Sequence, residues 1–117
     1  MTTDVTVYYN PNCSKCRLSI ELLEKQGQLA TIVEYLNTPP DAGTLAAILD
    51  MLGMAPRELM RKHEKEYSEA GLDNPALSRE QLINAMIEYP RLIERPIVIK
   101  DGKAVIGRPP ERILDIL

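Results

Sequence analysis

At 117 residues the chain is long enough for one domain with a real core, and its 44% hydrophobic and 26% charged content excludes a disordered segment. A net charge of −3 argues against general nucleic-acid or membrane-surface binding. No apolar run approaches the roughly 20 residues that span a bilayer, and Thr2-Thr3-Asp4 lacks the basic start of a signal peptide, so a cytoplasmic location is expected.

Residues 5–9 (VTVYY) are rich in β-branched and aromatic types and predict a strand that Asn10-Pro11 breaks. From Ser14 to Gln26, Cys16, Ile20 and Leu23 recur at helical spacing with Leu22 beside them, and Gly27 supplies a C-terminal cap. Residues 31–35 (TIVEY) predict a second strand, which makes the first 35 residues one right-handed βαβ unit. Thr38-Pro39-Pro40-Asp41 then signals a helix start, followed by Leu45, Ile48, Leu49 and Leu52 on one face and a stop at Gly53. Pro56 opens a further predicted helix, PRELMRKH. Ser78 and Gln81 form a capping-box pattern ahead of Leu82, Ile83, Met86 and Ile87, and Pro90 ends that helix. Residues 40–90 are thus expected to be mostly helical, with His63 a solvated helix residue and the methionines at 51, 54, 60 and 86 core filler.

PIVIK and KAVIG flank Asp101-Gly102, among the strongest short hairpin signals. Pro109-Pro110 starts a last helix, PERILDIL. The order β-α-β, helical block, β-β-α is that of a thioredoxin-like α/β fold with a mixed four-stranded sheet and a helical insertion at about 40–90. No linker or internal repeat divides it, so 1–117 reads as a single domain, and a monomer is expected.

Chemistry concentrates in NPNCSKC. The two cysteines are the only ones, and the single His63 lies far along the chain, so the four ligands of a structural zinc site are missing and no metal is expected. One CxxC beside a βαβ pattern reads better as redox chemistry, with two packed thiols as the plain alternative. Cys13 falls at the start of a helix, where unpaired N–H groups and the dipole favour an anion and can lower a thiol from about 8.5 to between roughly 3.5 and 7.5. Lys15 and Arg17 add positive charge nearby. Cys16, one turn on, is within reach for a disulfide, but its place on the apolar face would bury it. In thioredoxin-like proteins a cis-proline begins the third strand and faces the reactive cysteine; Pro96 stands where that proline would.

The motifs YNPNCSKCR, ELMRKHE, ERPIVI and GRPPE, in order over residues 5–117, resemble the glutathione- and glutaredoxin-dependent arsenate reductases, especially their short members. The resemblance implies that Cys13 is the nucleophile and that Arg61, Arg95 and Arg108 bind the oxyanion. It also implies that Pro96 is the cis-proline and that Arg17 helps hold the thiolate. Guanidinium groups suit such a role, since they bind tetrahedral oxyanions in forked pairs and stabilise charge that moves during attack. The implied reaction reduces arsenate to arsenite, with glutathione as co-substrate, glutaredoxin or thioredoxin as partner, and no bound cofactor. Two departures stand out. Cys16 replaces the serine of the best-known members and is a candidate resolving thiol, and Tyr9 replaces the His that helps keep their cysteine ionised. Two other readings of the CxxC are a redox-sensing transcription regulator that binds RNA polymerase and a general thiol–disulfide oxidoreductase. Against the regulator stand Arg108 and the lack of a long basic tail; against the oxidoreductase stand the helical block and the three arginines.

Overall fold

A computed structural model describes residues 5–117, which fall into two compact units: the chain through Thr38 with Arg95–Leu117, and Pro39–Glu94.

The first unit is built on a four-stranded mixed sheet of order β2-β1-β3-β4, with β1 Val5–Tyr9, β2 Ala30–Glu34, β3 Ile97–Lys100 and β4 Lys103–Ile106. β1 runs parallel to β2 and antiparallel to β3, and β3 runs antiparallel to β4. This is the thioredoxin-like sheet that the element order implies. The register sets Val7 opposite Val98, so the alternation of side chains puts Val5, Val7 and Val98 on one face. There they form a core with Leu23 from helix α1 (Ser14–Lys25) and Ile113 from the C-terminal segment. α1 ends in a Schellman arrangement. Gln28 N–H donates to the Leu23 carbonyl and Gly27 N–H to that of Glu24, with Gly27 at φ 71°. Asp101 and Gly102 both take positive φ, 52° and 76°, as a two-residue hairpin with primed geometry requires.

The expected last helix is a 3-10 helix, Pro110–Ile116. Its start has Pro109 and Pro110 in succession, and its seven residues close i→i+3 bonds such as Arg112 N–H to the Pro109 carbonyl, 3.0 Å.

The second unit holds α2 (Ala42–Leu52), α3 (Pro56–Leu59), α4 (Lys65–Glu69), α5 (Arg79–Glu88) and a 3-10 turn at Pro90–Leu92. Asp41 caps α2 by accepting from Thr44 N–H at 2.7 Å. Ser78 and Gln81 close the expected capping box on α5, at 3.1 and 2.8 Å. α5 packs on α2 and α3, burying Leu45, Ile48 and Leu49 with Leu82, Ile83 and Met86. PRELMRKH, expected as one helix, is helical only through Leu59. Met60 turns extended (φ −84°, ψ 141°) and pairs with Ile93, while Arg61 N–H donates to the Leu92 carbonyl and Glu94 N–H to that of Leu59. His63 therefore lies in a turn, not on a helix. Among the described residues no helix is long and apolar enough to cross a membrane.

Candidate active site

The end of β1 delivers the chain into a tight loop over residues 10–12. Asn10 Oδ1 accepts from Asn12 N–H at 2.9 Å, and the Asn10 carbonyl accepts from Cys13 N–H at 3.0 Å. Side-chain acceptance of this kind is why Asn favours turns. Cys13 then takes the N-cap position of α1, its own carbonyl receiving Arg17 N–H at 3.2 Å. Arg17 Nη1 donates to the Pro11 carbonyl at 3.1 Å, so this arginine reaches Cys13 through the loop that carries it.

Both cysteines are free thiols and both are buried, Cys13 at 5% exposure and Cys16 at 0%. Their chemistry nonetheless diverges. Burial pushes the Cys13 thiol up, but the backbone amide and thiol of Cys16, then the Arg95 guanidinium, favour the anion and leave it below its ordinary value. Burial also dominates at Cys16, and the neighbouring Cys13 adds to it, pushing Cys16 up to about 12 against the opposing pull of the Asn10 backbone and Arg95. The pair is thus a thiolate-prone sulfur beside a protonated one. Tyr9, in place of the His of the best-known members, packs against the core cluster, and the groups that favour the Cys13 anion are Cys16 and Arg95.

Arg108 completes the arrangement. Its Nη2 lies 3.6 Å from Cys13 Sγ, and its Nε donates to the Arg95 carbonyl at 2.7 Å. The peptide bonds that follow both arginines, Arg95–Pro96 and Arg108–Pro109, are cis. Cys13, Cys16, Arg95 and Arg108 thus converge within the first unit: a thiolate-prone sulfur with two guanidinium groups beside it, Pro96 following the first of them.

Arg61 belongs to the helical unit and has partners there. Its Nε meets Glu64 at 3.2 Å, its Nη1 meets Glu94 at 2.9 Å, and its Nη2 lies 3.0 Å from His63 Nε2. Burial works against its charge, but the two carboxylates outweigh that and raise its pKa. Glu64 is in turn lowered, burial being outweighed by Arg61 and Arg91. Neither Glu64 nor Glu94 was singled out in the sequence, although Glu94 sits in the ERPIVI motif; the Met60–Ile93 pairing that brings Glu94 to Arg61 leaves no local signal. Among the described residues no three His, Cys, Asp or Glu side chains gather as a metal site requires.

A buried cysteine at a helix start, beside two arginines that each precede a cis-proline, belongs to a chain with known relatives. The ArsC family model covers residues 8–116. This chain belongs to the ArsC family. The uncharacterised protein YfgD of Escherichia coli K12 is 51% identical to it, over 100% of this chain and 99% of its own length. The arsenate reductase of Neisseria meningitidis (serogroup A) is 45% identical, over 97% of this chain and 98% of its own. Among solved structures, the arsenate reductase from Vibrio cholerae superposes with a TM-score of 0.97 at 43% identity, covering 100% of both chains. ArsC-family membership therefore extends across essentially the whole sequence, and both units have counterparts in the Vibrio structure.

Proposed function

We propose that the protein reduces arsenate to arsenite, with Cys13 as the attacking sulfur. The observation that carries this reading is the contact of Arg108 Nη2 with Cys13 Sγ at 3.6 Å, beside a thiol that Arg95 and Cys16 already hold toward its anion. A general dithiol oxidoreductase has no use for two guanidinium groups around its sulfur, whereas a tetrahedral oxyanion attacked there does. The naming of the Neisseria and Vibrio relatives as arsenate reductases agrees.

In the proposed cycle the Cys13 thiolate attacks arsenic, forming an S–As bond while one arsenate oxygen takes up protons and leaves as water. Arg95 and Arg108 bind the remaining oxygens and stabilise the charge gathered on them. Arsenic is still pentavalent in this adduct. A second thiol then attacks the Cys13 sulfur. The S–As bond breaks with its electron pair passing to arsenic, arsenite leaves, and a disulfide remains, so that the two thiols together supply the two electrons.

Two thiols can serve in the second step. Glutathione would give a mixed disulfide for glutaredoxin to clear. Cys16 would give a Cys13–Cys16 disulfide for glutaredoxin or thioredoxin. At rest Cys16 is a poor nucleophile at about 12, but part of that rise comes from Cys13 itself, and arsenylation of Cys13 removes its negative charge.

A coupled assay tests the proposal, comparing arsenate with no acceptor in glutathione–glutaredoxin and thioredoxin systems side by side. Arsenate-dependent consumption of reductant in at least one system is expected. Disulfide reduction without any arsenate dependence would return the protein to the oxidoreductase reading.

A further inference from the structure

Gly107 follows β4 and precedes Arg108, and its backbone is not at a positive φ, so the conformational freedom of glycine is not what this position uses. Space is what it uses. A Cβ there would lie 2.7 Å from Ser19 Oγ, 3.0 Å from Pro96 Cγ and 3.5 Å from Ile113 Cγ2. The first two distances are shorter than ordinary van der Waals contact allows. Ser19 is fully buried on α1, and its hydroxyl has no hydrogen-bond partner among the described residues. Gly107 N–H donates to the Pro96 carbonyl at 3.0 Å. The Gly107 backbone is therefore wedged between the helix that Cys13 caps and the proline that follows Arg95, and it carries Arg108 as the next residue.

We infer that Gly107 is a positioning residue that locks the Arg95–Pro96 and Arg108–Pro109 turns against α1 and so fixes both guanidinium groups at the Cys13 sulfur. This inference rests on the reading of Arg95 and Arg108 as partners of the Cys13 thiolate and deepens it. Three contacts tie the parts into one body: Gly107 to Pro96, Arg108 Nε to the Arg95 carbonyl, and Arg108 Nη2 to Cys13. A methyl group at 107 must move the β4–Arg108 segment away from α1, Pro96 away from Gly107, or both. Each movement draws a cation off the sulfur. Removing the Ser19 hydroxyl clears the closest of these conflicts and leaves that with Pro96, which a displacement of a few tenths of an ångström relieves.

The test reads thiolate formation directly, without arsenate. Rates of Cys13 alkylation by iodoacetamide are measured against pH for the wild type, Gly107→Ala, Ser19→Ala and the double variant, with far-UV circular dichroism to establish folding. Gly107→Ala is expected to shift the profile upward by about one unit, which slows alkylation roughly tenfold at pH values well below the wild-type midpoint. Ser19→Ala should leave the profile where it is, and the double variant should recover most of the shift. Should Gly107→Ala not fold, the double variant is read alone, and a profile near the wild type supports the inference. A folded Gly107→Ala with an unmoved profile overturns it, as does a double variant whose profile stays fully shifted. An arsenate-inactive wild type with the expected alkylation shifts would instead overturn the proposed function and leave this inference standing.

Discussion

Arg108 touches Cys13 and Arg95 with one side chain, its Nη2 3.6 Å from the Cys13 sulfur and its Nε 2.7 Å from the Arg95 carbonyl. The guanidinium plane is thereby oriented by one nitrogen and offered to the sulfur by another. Lysine keeps the charge but has no planar fork with which to do both. Arg108→Ala is expected to cut kcat/KM for arsenate by about a hundredfold, a size seen when one donor to a developing anion is removed. Arg108→Lys should recover only part of it. Steady-state kinetics decide this, and unchanged kinetics in both variants would remove Arg108 from the reaction.

The two sulfurs should separate cleanly by pH. A thiol reacts as its anion, so reactivity appears above its pKa and is lost as pH falls through it. Cys13 lies below the ordinary thiol value and Cys16 at about 12. Alkylation at neutral pH followed by peptide mass spectrometry should therefore label Cys13 and spare Cys16. Equal labelling of both, or labelling of Cys16 first, would contradict the assignment of the thiolate.

Cys16→Ser separates the two ways of releasing arsenite. With Cys16 as the resolving thiol, arsenate exposure of the reduced wild type yields an intramolecular disulfide, and the variant loses thioredoxin-supported turnover while keeping a glutathione-dependent path. Mass spectrometry of the arsenate-treated wild type checks it. A glutathione adduct on Cys13 as the sole product would make Cys16 a bystander whose amide and thiol serve only to favour the Cys13 anion.

Arg61 is expected to matter less than Arg108. Its guanidinium is held by Glu64 and Glu94 at 3.2 and 2.9 Å, so much of its charge is already offset within the helical unit. Arg61→Ala should remove the cation that Glu64 and Glu94 share and lower thermal stability, while reducing kcat/KM for arsenate by less than Arg108→Ala does. Melting curves and kinetics on the two variants settle the order. A larger kinetic loss in Arg61→Ala would restore it to the rank that the family resemblance implies.

What could be read from the sequence follows from how local each signal is. The strand VTVYY, the Asp101-Gly102 hairpin and the Ser78–Gln81 box are written in neighbouring residues, and all three form as expected. The end of α3 was not readable in the same way. PRELMRKH has helical composition throughout, but Met60 leaves the helix to pair with Ile93, a residue far along the chain whose role no nearby pattern announces. The 3-10 geometry at Pro110–Ile116 was hidden similarly, because its apolar spacing suits an α-helix and only the tight proline start changes the bonding.

The same distinction applies to the site. Spacing showed that Cys13 would begin a helix and that Cys16 would be buried. It could not show that the two thiols diverge in pKa, since that depends on burial and on Arg95 arriving from the other end of the chain. Gly107 was visible only as a letter in GRPPE, and its closeness to Ser19 and Pro96 appears once the fold brings three distant segments together.

In the proposed cycle arsenic passes from pentavalent to trivalent only through its bond to Cys13, with a second thiol completing the two-electron step. This central claim is tested most directly by quantifying arsenite formed from arsenate by the reduced protein with glutathione present, wild type beside Cys13→Ser. Arsenite from the wild type and none above background from the variant is the expected result; equal arsenite from both, or none from the wild type, would contradict it.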